Sequence, residues 1–299
     1  MHTNIFDTFF GISSTVVAMC GAGIVIFAVA LWAAKTDIAR AAGLDKVVAV
    51  SNLCVAVPLA VFGALHVSAV KFVLPIVPSY MPWRLFWAYF VGIALLAASL
   101  SIATKIQVRW SGLLFGAMMF LFVAMLDIPG VLASPRDRFA WTLAIRESTF
   151  AVAGWILAGD AIRGKFGGKL VTVGRVVIAI ACLFYGVEHF LHPLGRPGVP
   201  LEKLMPVWIP GRLPIGYLTG AILVVAGVLI LLARRTRMAA TYLGTWIVLL
   251  VLFIYGPILI ASLCDPSTGI KIEGINYFAD TLLFGGAILA LASSTPRTD

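Results

Sequence analysis

Nine runs of mostly apolar residues divide this chain, at 9–34, 46–66, 84–104, 111–128, 139–159, 170–189, 213–233, 239–263 and 275–292. A helix needs roughly 20 such residues to cross the hydrocarbon of a bilayer. Inside lipid every backbone N–H and C=O must be paired within the structure, and a helix pairs its own. Stretches rich in Gly, Pro or charge separate the runs. The expected fold is an all-α integral membrane protein with about nine transmembrane helices.

Composition excludes the soluble alternative. A soluble domain carries about 25% charged residues. Here 12% are charged and 61% hydrophobic, with a mean hydropathy of +1.04. That mixture cannot build a water-facing surface, so the lipid bilayer is the expected partner. Residues 1–10 hold no Lys or Arg and do hold Asp7, whereas a cleaved signal needs a positive leading segment. The first run is therefore read as a retained helix.

Charge sets the orientation. Alternating sides across nine spans puts 13 of the 22 Lys and Arg, but only four of the 13 Asp and Glu, on the side that follows the first helix. Lys and Arg gather on the cytoplasmic side. The N-terminus is expected outside and the C-terminus inside, with the bilayer read as a bacterial inner membrane. The net charge of +9 is thus a topology signal, and no nucleic-acid partner is implied.

An internal repeat organises the rest. Residues 78–92 and 206–220 both read P-x3-P-x-R-L-x3-Y-x2-G, 128 positions apart. The same offset pairs Arg109 with Arg237, Gly116 with Gly244 and Pro129 with Pro257. Upstream, Phe62-Gly63-x-x-His66 matches Tyr185-Gly186-x-x-His189, with the second loop five residues longer. Downstream, Gly154-x-Ile-Leu-Ala158 matches Gly286-x-Ile-Leu-Ala290. These matches divide the chain into an N-terminal helix and cytoplasmic loop (1–44) and two four-helix units (45–160 and 169–293). Each unit has an even number of spans, so both enter the membrane from the same side and the repeat is parallel. Within the motif, Pro82 and Pro210 precede helices, where a missing N–H does no harm. Trp83, Trp87 and Trp208 suit the interfacial aromatic belt. Arg84 and Arg212 stand at outer helix starts, within reach of headgroups or a carboxylate. The spans show no clear pair of mid-membrane Gly or Pro breaks.

An ionisable residue at membrane depth is costly and points to function. Arg146 and Glu147 lie about a third of the way along their run, and Asp280 is at a similar depth. Adjacent helical residues point in different directions, so separate partners are expected for Arg146 and Glu147. His66, Arg84 and Asp127 in the first unit, with Glu188, His189 and Arg212 in the second, gather towards the same outer side. The nine residues read either as a ligand-binding polar pocket or as ion pairs tying helix ends together. Two imidazoles at matched positions, with His192 nearby, make a haem or metal conceivable. Ordinary hydrogen bonding of a helix-end histidine is the stronger reading, so no metal is assigned. Cys20, Cys54, Cys182 and Cys264 form no C-x-x-C pair and read as small apolar residues in helices. Residues 159–166 imitate a phosphate-binding loop but end in Phe166, where magnesium needs Ser or Thr, and follow no strand.

The four-helix unit resembles the DoxX-like membrane family. The likeness rests on the G-x-x-H helix ends (Gly63, His66; Gly186, His189), the Pro-containing outer loops (Pro75, Pro82; Pro197, Pro210) and the Tyr-x2-Gly helix starts (Tyr89, Gly92; Tyr217, Gly220). It covers about residues 45–293, and the chain departs from it in its duplication and in Arg146–Glu147. That family includes a subunit of a thiosulfate–quinone oxidoreductase, and its members are often labelled oxidoreductases. The resemblance implies a redox-linked subunit that binds quinone or another lipophilic molecule near the outer leaflet, with a membrane-bound redox partner. A transporter or lipid-handling carrier and a non-catalytic membrane scaffold are the alternatives, and no motif decides whether the chain is an enzyme.

Overall fold

The computed structural model describes residues 13–199 and 202–296, all helices and turns apart from one isolated bridge, Gly195 to Leu204. Residues 9–12 of the first run, Asp7, and the Arg297 and Asp299 used in the charge tally lie outside the described residues. The long helices are α1 Ser14–Arg40, α2 Asp45–Ser68, α3 Arg84–Thr104, α4 Val108–Ala133, α5 Arg138–Ile162, α6 Gly164–Leu191, α7 Arg212–Leu231, α8 Thr236–Leu263 and α9 Thr268–Ser294.

Eight of these helices, all but α5, are long and apolar enough to cross a membrane. The protein is a multi-pass integral membrane protein. α5 has 25 residues, but Arg146, Glu147 and Asp160 dilute its apolar character. Side chains that a soluble protein would bury face outwards: Ile24 is 69%, Phe253 71% and Leu132 72% exposed. Lipid is the solvent that accepts such a surface.

Consecutive helices pack from α2 round to α9, α9 closes back on α2, and α5 meets α9 across the middle. α1 lies against α2 and α3. Residues 281–292 of α9 are all buried. Where α2 meets α3, a Cβ on Gly92 would stand 2.8 Å from His66 Cβ and 3.2 Å from the Gly63 carbonyl oxygen. Where α6 meets α7, a Cβ on Gly220 would stand 2.9 Å from His189 Cβ and 3.1 Å from the Gly186 carbonyl oxygen. Without a hydrophobic force between helices in lipid, close backbone approach at small residues supplies the packing.

Two sequence expectations change. The run 111–128 does not end before Pro129; α4 continues to Ala133. Proline lacks an N–H and clashes with the carbonyl four residues back. The helix absorbs this in a widened π turn at Val123–Asp127, just before Pro129. α8 does the same at Val251–Tyr255, before Pro257. So α4 and α8 do carry a matched pair of helix irregularities, which the sequence reading did not anticipate.

The tight turns also have cause. Lys105 ends α3 at φ 62°, and the N–H of Ile106 reaches back to the Ser101 carbonyl. Ala233 ends α7 at φ 54°, and the N–H of Arg234 reaches back to the Leu229 carbonyl. This left-handed cap satisfies orphan carbonyls at a helix end. Its presence at both turns makes it architectural rather than a strained functional feature.

Candidate functional site

The core of the site lies where α4, α5 and α9 meet. Arg146 Nη1 donates to Asp280 Oδ2 at 2.8 Å, and Arg146 Nη2 lies 3.5 Å from Glu147 Oε1. The guanidinium also sits 5.8 Å from the Phe150 ring. Asp127, the last residue of the π turn in α4, lies beside the Glu147 carboxyl. Among the described residues, Asp127 Oδ2 and Arg146 Nε are buried without a hydrogen-bond partner. Two carboxyls therefore contact one guanidinium, and a third lies beside Glu147. Against the expectation of separate partners, Arg146 and Glu147 pair with each other, although the shorter contact of Arg146 is to Asp280.

α9 extends this cluster towards its own N-terminal end. Glu273, Tyr277 and Asp280 follow at spacings of four and three, so they share a helix face. Arg196, from the loop after α6, stacks its guanidinium 4.2 Å from the Tyr277 ring centroid. Arg196 Nη2 lies 3.8 Å from Glu273 Oε1, and Lys203 Nζ lies 3.3 Å from Glu273 Oε2. Arg196 Nε and Nη1 are buried and, among the described residues, unpaired. A polar column thus runs from Lys203, whose side chain is 54% exposed, down to Arg146.

The other expected site residues are placed elsewhere. Glu188 Oε2 accepts from Arg138 Nη1 at 3.0 Å, an ion pair between α6 and α5. Arg84 donates to the Val77 and Leu74 carbonyls at 2.9 and 2.7 Å, and Arg212 donates to the Met205 carbonyl at 3.2 Å. Both arginines brace the loops that lead into their own helices. His189 is buried, its Nε2 accepts the Gly198 N–H at 3.0 Å, and its Nδ1 lies 2.5 Å from the Tyr185 carbonyl. Since a backbone N–H can only donate, Nε2 is unprotonated and the proton sits on Nδ1. His66 makes the matching contact to the Phe62 carbonyl at 2.8 Å. Among the described residues no three His, Cys, Asp or Glu side chains could hold a metal. Of the nine residues, Asp127, Arg146, Glu147 and Asp280 come together.

Several neighbours escaped the sequence reading. Tyr185 OH donates to the Thr142 carbonyl at 2.9 Å, and Tyr255 OH donates to the Pro197 carbonyl at 2.7 Å. Tyr185 was visible as the counterpart of Phe62, and Tyr277 through its spacing between Glu273 and Asp280. Arg196 had no such signal, because only the fold of its loop aims it inwards.

Two cavities lie at the opposite, Lys/Arg-rich end. A cavity of about 620 Å³ is lined by Asp37, Asn52, Lys105, Arg109 and Asp160, among others. A second, of about 340 Å³, adjoins it at Asp37 and Ser293. Lys105 pairs with Asp37 across the first, and Arg237 with Asp45 at 2.7 Å across the second. The chain matches no protein-family model, no curated protein and no solved structure.

Proposed function

We infer that the protein is a proton-handling membrane subunit, which binds and releases a proton at Asp127, Glu147 and Asp280 around Arg146. One observation carries this reading: two carboxyls contact one guanidinium in the interior of the helix bundle, and a third, Asp127, lies beside them. Full ionisation would leave two negative charges uncompensated where desolvation is expensive. Protons remove that excess, and ionisable groups at such depth mark proton or ion pathways.

In this reading the chain crosses a bacterial inner membrane nine times, with the N-terminus outside. α5 is the ninth span because it packs among α4, α6 and α9, and its mid-helix charges Arg146 and Glu147 are largely covered there. Residues 1–44 form a leading helix and loop, and 45–160 and 169–293 form two parallel four-helix units. Matched contacts support the units. Arg84 to the Val77 carbonyl corresponds to Arg212 to the Met205 carbonyl. Asn52 to the Ile102 carbonyl corresponds to Arg175 to the Ile230 carbonyl. The π turns Val123–Asp127 and Val251–Tyr255 stand 128 residues apart.

The DoxX-like resemblance supplies the substrate class, a quinone or similar lipophilic molecule, and a membrane-bound redox partner. Quinol oxidation releases protons, and a carboxylate at this depth accepts one. Infrared spectra of the purified protein at neutral pH are expected to contain a protonated-carboxyl band that Asp127→Asn or Glu147→Gln weakens. Its lipid extract is expected to contain quinone. Absence of that band would overturn the proton site, and absence of quinone with no quinol binding would overturn the redox role.

A second reading, a proton-coupled carrier, is favoured by the paired irregularities in α4 and α8, since interrupted helices line the substrate sites of transporters. Glu147→Gln then abolishes flux in vesicles; unchanged flux removes this reading.

A further inference from the structure

The second unit grips a single peptide group. Tyr255 OH donates to the Pro197 carbonyl at 2.7 Å, and the N–H of Gly198 donates to His189 Nε2 at 3.0 Å. Those two atoms belong to one amide, the bond joining Pro197 to Gly198. That planar group is thus held by a donor at its oxygen and an acceptor at its nitrogen. Thr281 closes a third side: a Cβ on Gly198 would stand 3.2 Å from Thr281 Cγ2. Gly198 also has φ +103°, a region other residues rarely adopt. The loop that delivers this amide is packed down, with Val199, Met205 and Ile209 buried.

The first unit carries the counterparts of all three gripping residues. His66 corresponds to His189 through the G-x-x-H helix end. Asp127 corresponds to Tyr255, each being the last residue of its π turn, 128 positions apart. Thr149 corresponds to Thr281, each five residues before the matched Gly154 and Gly286, and both are buried. His66 is oriented like His189, with Nδ1 committed to the carbonyl four residues back. Nδ1 is the one His66 ring nitrogen that hydrogen-bonds among the described residues, and Asp127 Oδ2 is buried without a partner. The loop of this unit is five residues shorter, and its Leu74 and Val77 carbonyls are spent on Arg84. Accordingly Leu143, Ile145 and Glu147 on α5 stay half-buried, whereas Ile275, Tyr277 and Ala279 on α9 are buried.

We propose that the first unit binds a ligand bearing a planar amide-type group between His66 and Asp127, where the second unit holds its own Pro197–Gly198 amide. The ligand N–H donates to His66 Nε2, and its carbonyl accepts from the protonated Asp127 carboxyl. The proposal rests on the two-unit, proton-bearing reading above. Tyr255 always has a proton to donate, whereas Asp127 has one only when protonated, so ligand binding and proton uptake are coupled. Facing Asp127 are Glu147 and Arg146 of α5, with Asp280 of α9 and Tyr185 of α6 behind them.

The test uses the full chain in detergent with ¹⁵N-labelled histidine and two probes: acetyl-Arg-Pro-Gly-Val-amide and dodecanamide. At least one is expected to shift the His66 Nε2 resonance and leave His189 unmoved. A response to the peptide alone points to a peptide segment as the natural ligand; a response to dodecanamide alone points to a small membrane-soluble amide. Asp127→Leu should weaken binding at least about tenfold, the loss of one hydrogen bond to a buried group. Asp127→Asn, which keeps a donor, should restore most of it. No His66 shift with either probe at saturation, or equal binding in Asp127→Leu, overturns the proposal. If the infrared carboxyl band persists while both probes fail, the proton site stands and only the ligand site falls.

Discussion

Arg146 of α5 and Asp280 of α9 meet at 2.8 Å, joining the two helices that touch across the middle of the bundle. Their side chains are only 14% and 12% exposed. Removing one member of a buried ion pair strands the other, at a cost of about 3–5 kcal/mol. Arg146→Ala should therefore lower stability by that order in detergent unfolding. The double change Arg146→Met with Asp280→Leu should recover only part of the loss, because Asp280 is no longer stranded while Glu147 still loses the guanidinium. Equal stability of the single variant and the parent would show that the contact carries no load.

Gly220→Ala and Gly21→Ala form a matched comparison. A Cβ at Gly220 meets His189 Cβ at 2.9 Å and the Gly186 carbonyl at 3.1 Å, whereas nothing lies within 4 Å of one at Gly21. Forcing α6 and α7 apart should cost about 1–3 kcal/mol. Gly21→Ala should be neutral or slightly stabilising, since alanine favours helix over glycine. Thermal unfolding of the two variants in the same detergent separates these outcomes.

The His189 contact fixes the loop after α6. His189→Ala removes the acceptor of the Gly198 N–H, a hydrogen bond worth about 1 kcal/mol. Exchange of the Gly198 amide with deuterated water should accelerate by roughly fivefold to tenfold, while amides in the middle of α9 keep their rates. A uniform acceleration would mean that the histidine stabilises the whole bundle rather than the loop.

Cys264 reports the orientation. It is exposed at the α8–α9 turn, while Cys54 and Cys182 are buried. With the Lys/Arg-rich turns inside, a membrane-impermeant maleimide should label Cys264 in intact cells. Labelling only after the membrane is opened would reverse the orientation.

Much of the architecture could be read from periodicity and spacing. The apolar runs place all nine long helices, and Pro129 and Pro257 were found as a pair from their offset. The run 239–263 passes through Pro257, as α8 does, but the run ending at 128 stops short of Pro129, because whether a helix ends at a proline or widens around it depends on what its neighbours can satisfy. The site was legible in part. Arg146, Glu147, Asp127 and Asp280 stood out because charge is rare in such runs. Arg84, Arg212 and Glu188 stood out equally, yet they brace loops and pair helix ends.

The sequence by itself determined that the protein lives in lipid, because the scarcity of charge leaves no other solvent for these helices. Its 128-residue offset also paired Pro129 with Pro257, each of which follows a π turn. Only the tertiary structure decided which polar groups meet. Arg146 and Asp280 are 134 residues apart, and their contact exists because α5 and α9 pack together. It also decided that the Pro197–Gly198 amide reaches His189 and Tyr255, since a loop's path depends on the walls that receive it. Spacing along a chain fixes the face of a helix, but not the neighbour that face will find.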